Sequence, residues 1–505
     1  MILALRRFGP VGLLVLGLCA AAAAPARADT ATIAPATAPA ASPNTALNIM
    51  QATAAMQAGK CDEALPILEQ LWNDPELLKS DPDLAEKFRF QRIICTIALK
   101  GMPAALALSE ESLKHPGATV ASYDLRIFLL LSSRQTDAAA TVLAEAVTRF
   151  SATAYKLTDM TVMGTLLTVK LERRRELLAG LQRAGWQIRD PSGRLVIDFL
   201  RLDGLRTAVK ADDKVLADLF RADIADNALI YPISQGDGAI SDANVPPAYV
   251  MPVLRQQIQD VQTYIANTPT DLPGLRYLIL LQRTADEQQL ALVQLNGVLQ
   301  LIRVNGLEKF KAPNTYPNLI RDKALLLTEL GKTEEALTLY KEGAKVMKGA
   351  GTFTFTMSYM DFLIGLGRDQ EALALESNID FTQLDEGQKR RLAAVQGCAY
   401  GYLKDTMRYD VSLSMATTPS GLTDPKIYLC AGDTEGAAKA LIAHINTPSS
   451  RDETIITLQN GKPPIAYSER SKALNAAVAA LKKRPDVMAA AKAQNIIIRD
   501  WPIRF

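Results

Sequence analysis

The chain has 505 residues, of which 48 % are hydrophobic, 22 % charged and 6 % aromatic. That length suits about three ordinary domains or one extended repeat array, and the apolar share excludes a chain disordered throughout. The net charge of +2 excludes the strongly basic surface through which proteins hold nucleic acid. Abundant Ala and Leu favour helix.

The first 28 residues read as an address. Arg6 and Arg7 precede an unbroken run of apolar residues and glycines from Val11 to Ala24, which is short for a membrane span, and Ala26-Arg27-Ala28 supplies the small-x-small pattern of a cleavage site. We read a secretory signal peptide over 1–28, cut after Ala28. Leu18 stands before Cys19, where a lipoprotein signal wants a small residue. Without its three arginines the chain carries 53 basic against 54 acidic residues. The expected compartment is a bacterial periplasm or the exterior, with no stable membrane insertion after cleavage. Residues 29–45 are rich in Ala, Pro and Thr, with Pro35, Pro39 and Pro43; prolines at that density interrupt a helix and predict a disordered linker.

From residue 46 one pattern recurs. Gly59-Lys60-Cys61-Asp62-Glu63-Ala64-Leu65 returns as Gly331-Lys332-Thr333-Glu334-Glu335-Ala336-Leu337, as Gly367-Arg368-Asp369-Gln370-Glu371-Ala372-Leu373, and more weakly from Gly432 to Ala438. Degenerate copies begin at Lys100 and Ser133. In each, an alanine falls five residues after the turn position. A glycine there ends one helix in the left-handed conformation, acidic residues suit the start of the next, and the alanine lets the two approach. Ile320, Ala324, Leu327 and Leu330 before the turn, and Leu337, Tyr340, Ala344 and Met347 after it, keep helical spacing. The unit is an antiparallel helix pair.

This pattern resembles the tetratricopeptide repeat: Gly331 with Ala336 and Gly367 with Ala372 match its turn glycine and following alanine, and Pro75, Pro116 and Pro448 lie where its second helix closes. Turn spacings of 41, 33 and 36 residues lie near the family's period of about 34. No Trp opens these units, and Ala52, Ala324 or Met360 replaces the first-helix glycine. The resemblance implies an all-α solenoid of antiparallel helix pairs forming a superhelix. Its parts would be helical repeats over 46–235 with irregular helices, further repeats over 248–450, and a helical cap over 451–505. The interval from 367 to 432 leaves room for one more unit.

The middle is less regular. Leu166–Ala184 reads as helix, Pro191-Ser192-Gly193 as a turn, and residues 231–252, rich in Pro, Gly and Asp, as a long loop with a domain division near 235–247. Val253–Ala266 and Asp286–Val304 return to helix. Ser471–Lys483 reads as a basic helix, followed by a short helix and a terminal tail.

Chemical motifs are sparse. His115 and His444 are the only histidines and fall in unrelated repeats near helix ends, where they suit the dipole. The sequence has no Cys-x-x-Cys pair, no paired-histidine zinc motif, no Gly-x-Gly-x-x-Gly, no phosphate-binding Gly-x-x-x-x-Gly-Lys-Ser/Thr loop, and no Gly-x-Ser-x-Gly elbow. No cofactor or metal is expected. Cys61, Cys95, Cys398 and Cys430 follow the signal, an even number that suits disulfides in an oxidising compartment. Three connectivities are possible. Separations of 34 and 32 residues, about one repeat, favour Cys61–Cys95 and Cys398–Cys430; buried free thiols are the alternative. Asp237, Asp242 and Asn244 do not fit a calcium loop. Arg173, Arg174 and Arg175 read as a solvated helix face. Phe353, Phe355 and Tyr359 read as core by their spacing.

Two functions fit this reading. The resemblance implies a non-catalytic scaffold or adaptor that holds a protein or peptide on a concave surface of first helices, with Tyr359, Asp361 and Arg321 among the candidate contacts. The alternative is an envelope glycan- or peptidoglycan-processing enzyme, which would need two carboxylates facing one cleft; no constellation singles such a pair out.

Overall fold

The computed structural model describes residues 43–505 except 73, 75–76, 78–80, 116, 243–245 and 347–351. The expected signal peptide, residues 29–42 of the linker, Pro75, Pro116 and Asn244 therefore lie outside the described residues. The helical reading holds: almost every described element is a helix, and successive helices pack as antiparallel pairs. The chain forms two compact units, one holding residues up to Arg189 with Ala211–Phe220, the other Asp190–Lys210 with Arg221–Phe505.

The first unit opens with α1 (Pro43–Gln57) and α2 (Cys61–Leu71). The helix thus starts inside the expected linker, at Pro43, because a proline in the first turn has no backbone donor to lose. Next come α3 (Pro82–Leu113), α4 (Val120–Ser132), α5 (Thr136–Arg149), α6 (Asp159–Thr168) and α7 (Leu171–Arg183). The single helix read over Leu166–Ala184 is therefore two pieces. Residues Asp83–Leu113 of α3 are long and apolar enough to cross a membrane, but Gly101 at φ 81° breaks them into the two arms of a corner.

The second unit begins at α8 (Pro191–Lys210); Pro191, Ser192 and Gly193, read as a turn, are its first residues. A helix α9 (Lys214–Ala225), of which the residues from Arg221 belong to this unit, precedes α10 (Tyr231–Gly236). Then follow α11 (Val250–Asn267), α12 (Leu272–Thr284), α13 (Gln288–Asn305), α14 (Tyr316–Glu329), α15 (Thr333–Val346), α16 (Thr352–Gly365) and α17 (Asp369–Ala374). The hairpins α18 (Glu386–Leu403) with α19 (Thr406–Ala416), and α20 (Pro425–Cys430) with α21 (Thr434–Ile445), complete the array. One apolar core runs through this unit from Leu272 to Cys430.

The corners obey the expected chemistry. Gly59, Gly331, Gly367 and Gly432 have φ of 69°, 74°, 79° and 81°. After α14, the Lys332 amide donates to the Leu327 carbonyl at 2.9 Å and Gly331 to Thr328 at 3.1 Å, closing the helix with its own last carbonyls. Two corners sit one residue later than the spacing suggested, at Gly101 rather than Lys100 and at Arg134 rather than Ser133. Others lack glycine: Asp286 (φ 71°) and Lys404 (φ 57°) turn left-handed themselves. The corner at Lys404 supplies the additional unit between 367 and 432. Ala64, Ala105, Ala139, Ala336, Ala372 and Ala437 each have 0 % exposure.

Residues 231–236, part of the segment expected as a loop, form α10 and are packed inside the second unit. All six residues of α10 are buried. A side chain at Gly236 would meet Ile455 at 2.5 Å, so the absence of a Cβ is what admits that helix. Asp237 is wholly buried and held by Arg206 at 2.7 Å and Arg451 at 2.7 Å. Burial works to raise the Asp237 pKa, but the arginine hydrogen bonds and charges outweigh it and hold the carboxyl below its ordinary value.

The expected cap over 451–505 does more than cover a last hairpin. It comprises α22 (Arg451–Leu458), β1 (Asn460–Lys462), α23 (Glu469–Lys482), α24 (Pro485–Ala493) and β2 (Asp500–Arg504), the two strands pairing in parallel. Trp501 packs edge-on against Tyr231, with ring centroids 5.9 Å apart. Arg504 and Lys462 hold Asp286 at 2.7 and 3.2 Å. Arg470 holds Asp369 at 2.6 Å, and the Ser468 hydroxyl donates to the Gly365 carbonyl. The segment thus ties α10, the corner at 286 and the α16–α17 hairpin together.

Two outcomes follow. Ala336→Leu forces bulk into a closed corner and is expected to lower unfolding free energy by about 1–3 kcal/mol, read as a reduced urea midpoint at unchanged slope. Asp237→Ala leaves two arginines facing each other and is expected to cost about 3 kcal/mol. The same acid predicts a pH response. Its native pKa is depressed, so its contribution is complete above about pH 4, the unfolded value, and is lost as pH falls towards the native value. Acid unfolding of wild type and variant should converge below that window.

Candidate functional site

The first helices of four successive hairpins in the second unit, α14, α16, α18 and α20, each contribute one charged side chain to a common cluster: Arg321, Asp361, Arg391 and Lys426. The Lys426 ammonium lies 3.7 Å from the Asp361 carboxylate, and their side chains are 45 % and 42 % exposed. Asp361 raises the Lys426 pKa and burial opposes it. Asp361 is the one charge on α16, whose sequence TFTFTMSYMDFLIG is otherwise uncharged.

Arg391 is the distinctive member. It is exposed, and among the described residues it has no hydrogen-bond or ion-pair partner, although it feels Asp361 and Arg321. Burial lowers its pKa most, Asp361 works against that, and Arg321 adds to it. Arg321 is already engaged: it and Arg276 share the buried Asp322, with Nε donors at 3.0 and 2.8 Å. Burial pushes Asp322 up, but the two arginines prevail and keep it below the ordinary carboxylate value. Beside the cluster, the Arg470 guanidinium lies 4.1 Å over the Tyr402 ring. The result is a row of charged side chains in which Arg391 has no hydrogen-bond or ion-pair partner among the described residues.

Of the contacts suggested by sequence, Arg321 and Asp361 belong to this row and Tyr359 does not. Tyr359 is 4 % exposed and stacks on Tyr340 at 5.0 Å; Phe355 is 1 % exposed and Phe353 half-buried against the same core. Arg391 and Lys426 were missed. A signal was present, since Asp361 and Lys426 each stand six residues before a corner glycine. Arg391 stands thirteen before Lys404, on the same helical face, but that corner has no glycine to align on.

The remaining candidates are structural. The His115 ring packs near Trp72 at 5.8 Å and its Nδ1 accepts from the Gly117 amide at 3.1 Å; burial, then Arg89, lowers its pKa. His444 Nε2 lies 3.1 Å from the Thr423 carbonyl. Arg174 donates to the Leu166 and Val169 carbonyls at the end of α6, and Arg173 pairs with Glu176 at 2.8 Å. Asp237 serves the arginine network rather than a cation. Among the described residues, no group of three His, Cys, Asp or Glu could hold a metal ion. The structure brings Cys61 beside Cys95 and Cys398 beside Cys430, each pair with Cα atoms 5.0 Å apart.

Two shallow hollows stand out elsewhere. One, of about 390 Å³, lies between α14 and α15 and is lined by Lys323, Leu327, Glu334, Glu335, Thr338, Leu339 and Glu342. The other, of about 420 Å³, lies along α1 and α2. Both are open to solvent.

No protein-family model and no curated protein matches this sequence. Among solved structures, it is similar to the Cut9–Hcn1 hetero-tetramer of the APC/C, with 13 % identity over 89 % of this chain and 90 % of that one and a TM-score of 0.28. It is also similar to the TPR domain of P58(IPK), with 14 % identity over 87 % of this chain and 100 % of that one and a TM-score of 0.17. Likeness at this level bears on neither partner nor chemistry.

Proposed function

We propose that the protein is a non-catalytic scaffold that holds a protein or peptide partner on the first-helix face of its second unit, in an oxidising compartment reached through the N-terminal signal. The observation that carries this reading is Arg391, a cation without a partner among the described residues, set beside Asp361 and Lys426 on consecutive first helices. Such a row fixes register along an extended chain: carboxylates of the partner meet Arg391 and Lys426, and a basic group meets Asp361. Charge-assisted hydrogen bonds to a guanidinium supply direction as well as energy. The peptide mode follows the helix-pair architecture and the tetratricopeptide resemblance.

The glycan-processing alternative would draw on a carboxyl group held protonated near neutral pH. Among the described residues, each carboxylate with a displaced pKa is displaced downward, including Asp190, Asp237, Asp286 and Asp322. That supports the scaffold over the enzyme. The compartment is supported by the cysteine pairs, which lie at distances a bridge can span.

Two experiments test this. Affinity capture from periplasmic extract with the full secreted chain is expected to recover a specific protein that the Arg391→Glu, Lys426→Glu double variant loses. Both exposed charges can be reversed without opening the core, and circular dichroism checks that the fold survives. Capture unchanged by the double variant, or turnover of a glycan substrate, would reverse the reading. Peptide mapping of the non-reduced protein is expected to find Cys61 linked to Cys95 and Cys398 to Cys430, with reduction lowering stability by about 3 kcal/mol per bridge. Four free thiols would contradict both the bridges and the compartment.

A further inference from the structure

Between β1 and α23 the chain has neither helix nor strand from Pro463 to Ser468. Its two adjacent prolines favour an extended, polyproline-like course. Pro463, Pro464 and Ala466 are exposed. Towards the terminal segment, Arg504 donates to the Pro463 carbonyl and Asn475 to the Pro464 carbonyl. Towards the array, Tyr467, Ser468 and Arg470 come down on the corner where α16 gives way to α17. These ties are made by side chains, so they depend on sequence and can be released without opening a sheet.

The corner is shaped to those side chains. Tyr467 lies against Phe362, with ring centroids 5.4 Å apart and planes 25° from parallel. Its hydroxyl stands over Gly365, where an added Cβ would collide with it. The reversal is made at Gly367, with φ 79°, and makes no demand on Gly365. Glycine weakens a helix relative to alanine, and the tyrosine above accounts for its presence. Arg470 donates to the Ile364 carbonyl at 3.2 Å and to both Asp369 oxygens at 2.6 and 2.7 Å, and it covers the Tyr402 ring at 4.1 Å. Asp369 is 5 % exposed, and a buried acid needs a cation. Burial, then Asp361, raises the Tyr467 hydroxyl pKa, so the tyrosine slot stands beside the charged row.

We propose that this corner is a recognition site for an extended segment carrying an aromatic residue three positions before an arginine, and that residues 463–470 fill it in cis as a strap. The slot over Gly365 takes the ring, and Asp369 under Tyr402 takes the guanidinium. Joined to the fold at both ends, the strap acts on the site at an effective concentration of about 1 mM or more. It therefore competes with any segment of the same chemistry arriving in trans. On the scaffold reading, the partner's chain brings this pair to the α16 end of the charged row; the site itself stands without that reading.

The probe is a fluorescent synthetic peptide with the sequence of residues 463–470, PPIAYSER, titrated by polarisation with the full secreted chain. Tyr467→Ala with Arg470→Ala empties the site and is expected to bind the peptide with a dissociation constant of about 1 mM or below. Wild type, whose strap competes, is expected to bind about tenfold more weakly or worse. A peptide with alanine in place of both its tyrosine and its arginine is expected not to bind. Adding Gly365→Ala to the emptied chain puts a methyl group in the slot and is expected to abolish binding, a loss that a merely structural cap would not show. Circular dichroism checks the fold. If the emptied chain loses its helices, Tyr467→Ala alone, which leaves Arg470 on Asp369, is expected to bind the peptide more tightly than wild type. The proposal is overturned if neither variant binds, if the folded variant binds no better than wild type, or if binding survives Gly365→Ala or the alanine peptide. No captured partner enters the measurement, so failure of the scaffold reading and failure of this one are told apart.

Discussion

The contact on which this architecture depends is the closed corner, where two helices meet over an alanine with no exposed surface. A larger side chain there would hold the helices apart and break the continuity of the core. With a methyl group, the first helix of one hairpin, the second, and the first of the next lie close enough to share apolar residues. The core from Leu272 to Cys430 is the sum of such approaches. The left-handed residue before each alanine sets the reversal, and the carbonyls it leaves exposed are satisfied by the turn itself.

Corner packing acts locally, so it does not by itself fix distant parts of a unit. In the second unit that task falls to buried acids shared between arginines. Asp237 joins Arg206 to Arg451, and Asp322 joins Arg276 to Arg321. Each acid would be costly to bury alone and is tolerable because two cations compensate it. The terminal segment from Arg451 onward is held by such pairs and by Trp501, and it fastens the beginning of the array to its later hairpins. The same logic separates spent cations from available ones: Arg276 and Arg321 are committed to Asp322, whereas Arg391 is not.

Much of the fold was legible because its determinants are local. A glycine, a few acids and an alanine at fixed offsets suffice to mark a hairpin at 59, 331, 367 and 432, and one repeat of separation suffices to bring Cys61 near Cys95 and Cys398 near Cys430. The corners at Asp286 and Lys404 escaped, and the one at Arg134 was placed a residue early, because longer residues occupy the left-handed region there, at a cost that tertiary packing absorbs. Residues 231–252 looked like a loop because Pro232, Gly236 and Gly238 read as breakers. In the fold, Pro232 lies in a first helical turn, and the two glycines admit Ile455 and Asn495. Those partners are more than 200 residues away, beyond the reach of any pattern in the segment itself. The candidate site was half legible for the same reason: Asp361 can be aligned on Gly367, whereas Arg391 precedes the unmarked corner at Lys404.

Hydrogen exchange of the full chain, resolved to short peptides, tests the closed-corner account most directly. The account predicts slow exchange in both helices of every hairpin, including those meeting at Arg134, Asp286 and Lys404, and a protected α10. Rapid exchange through α18 and α19 around Lys404, or through residues 231–236, as in an open loop, would contradict it.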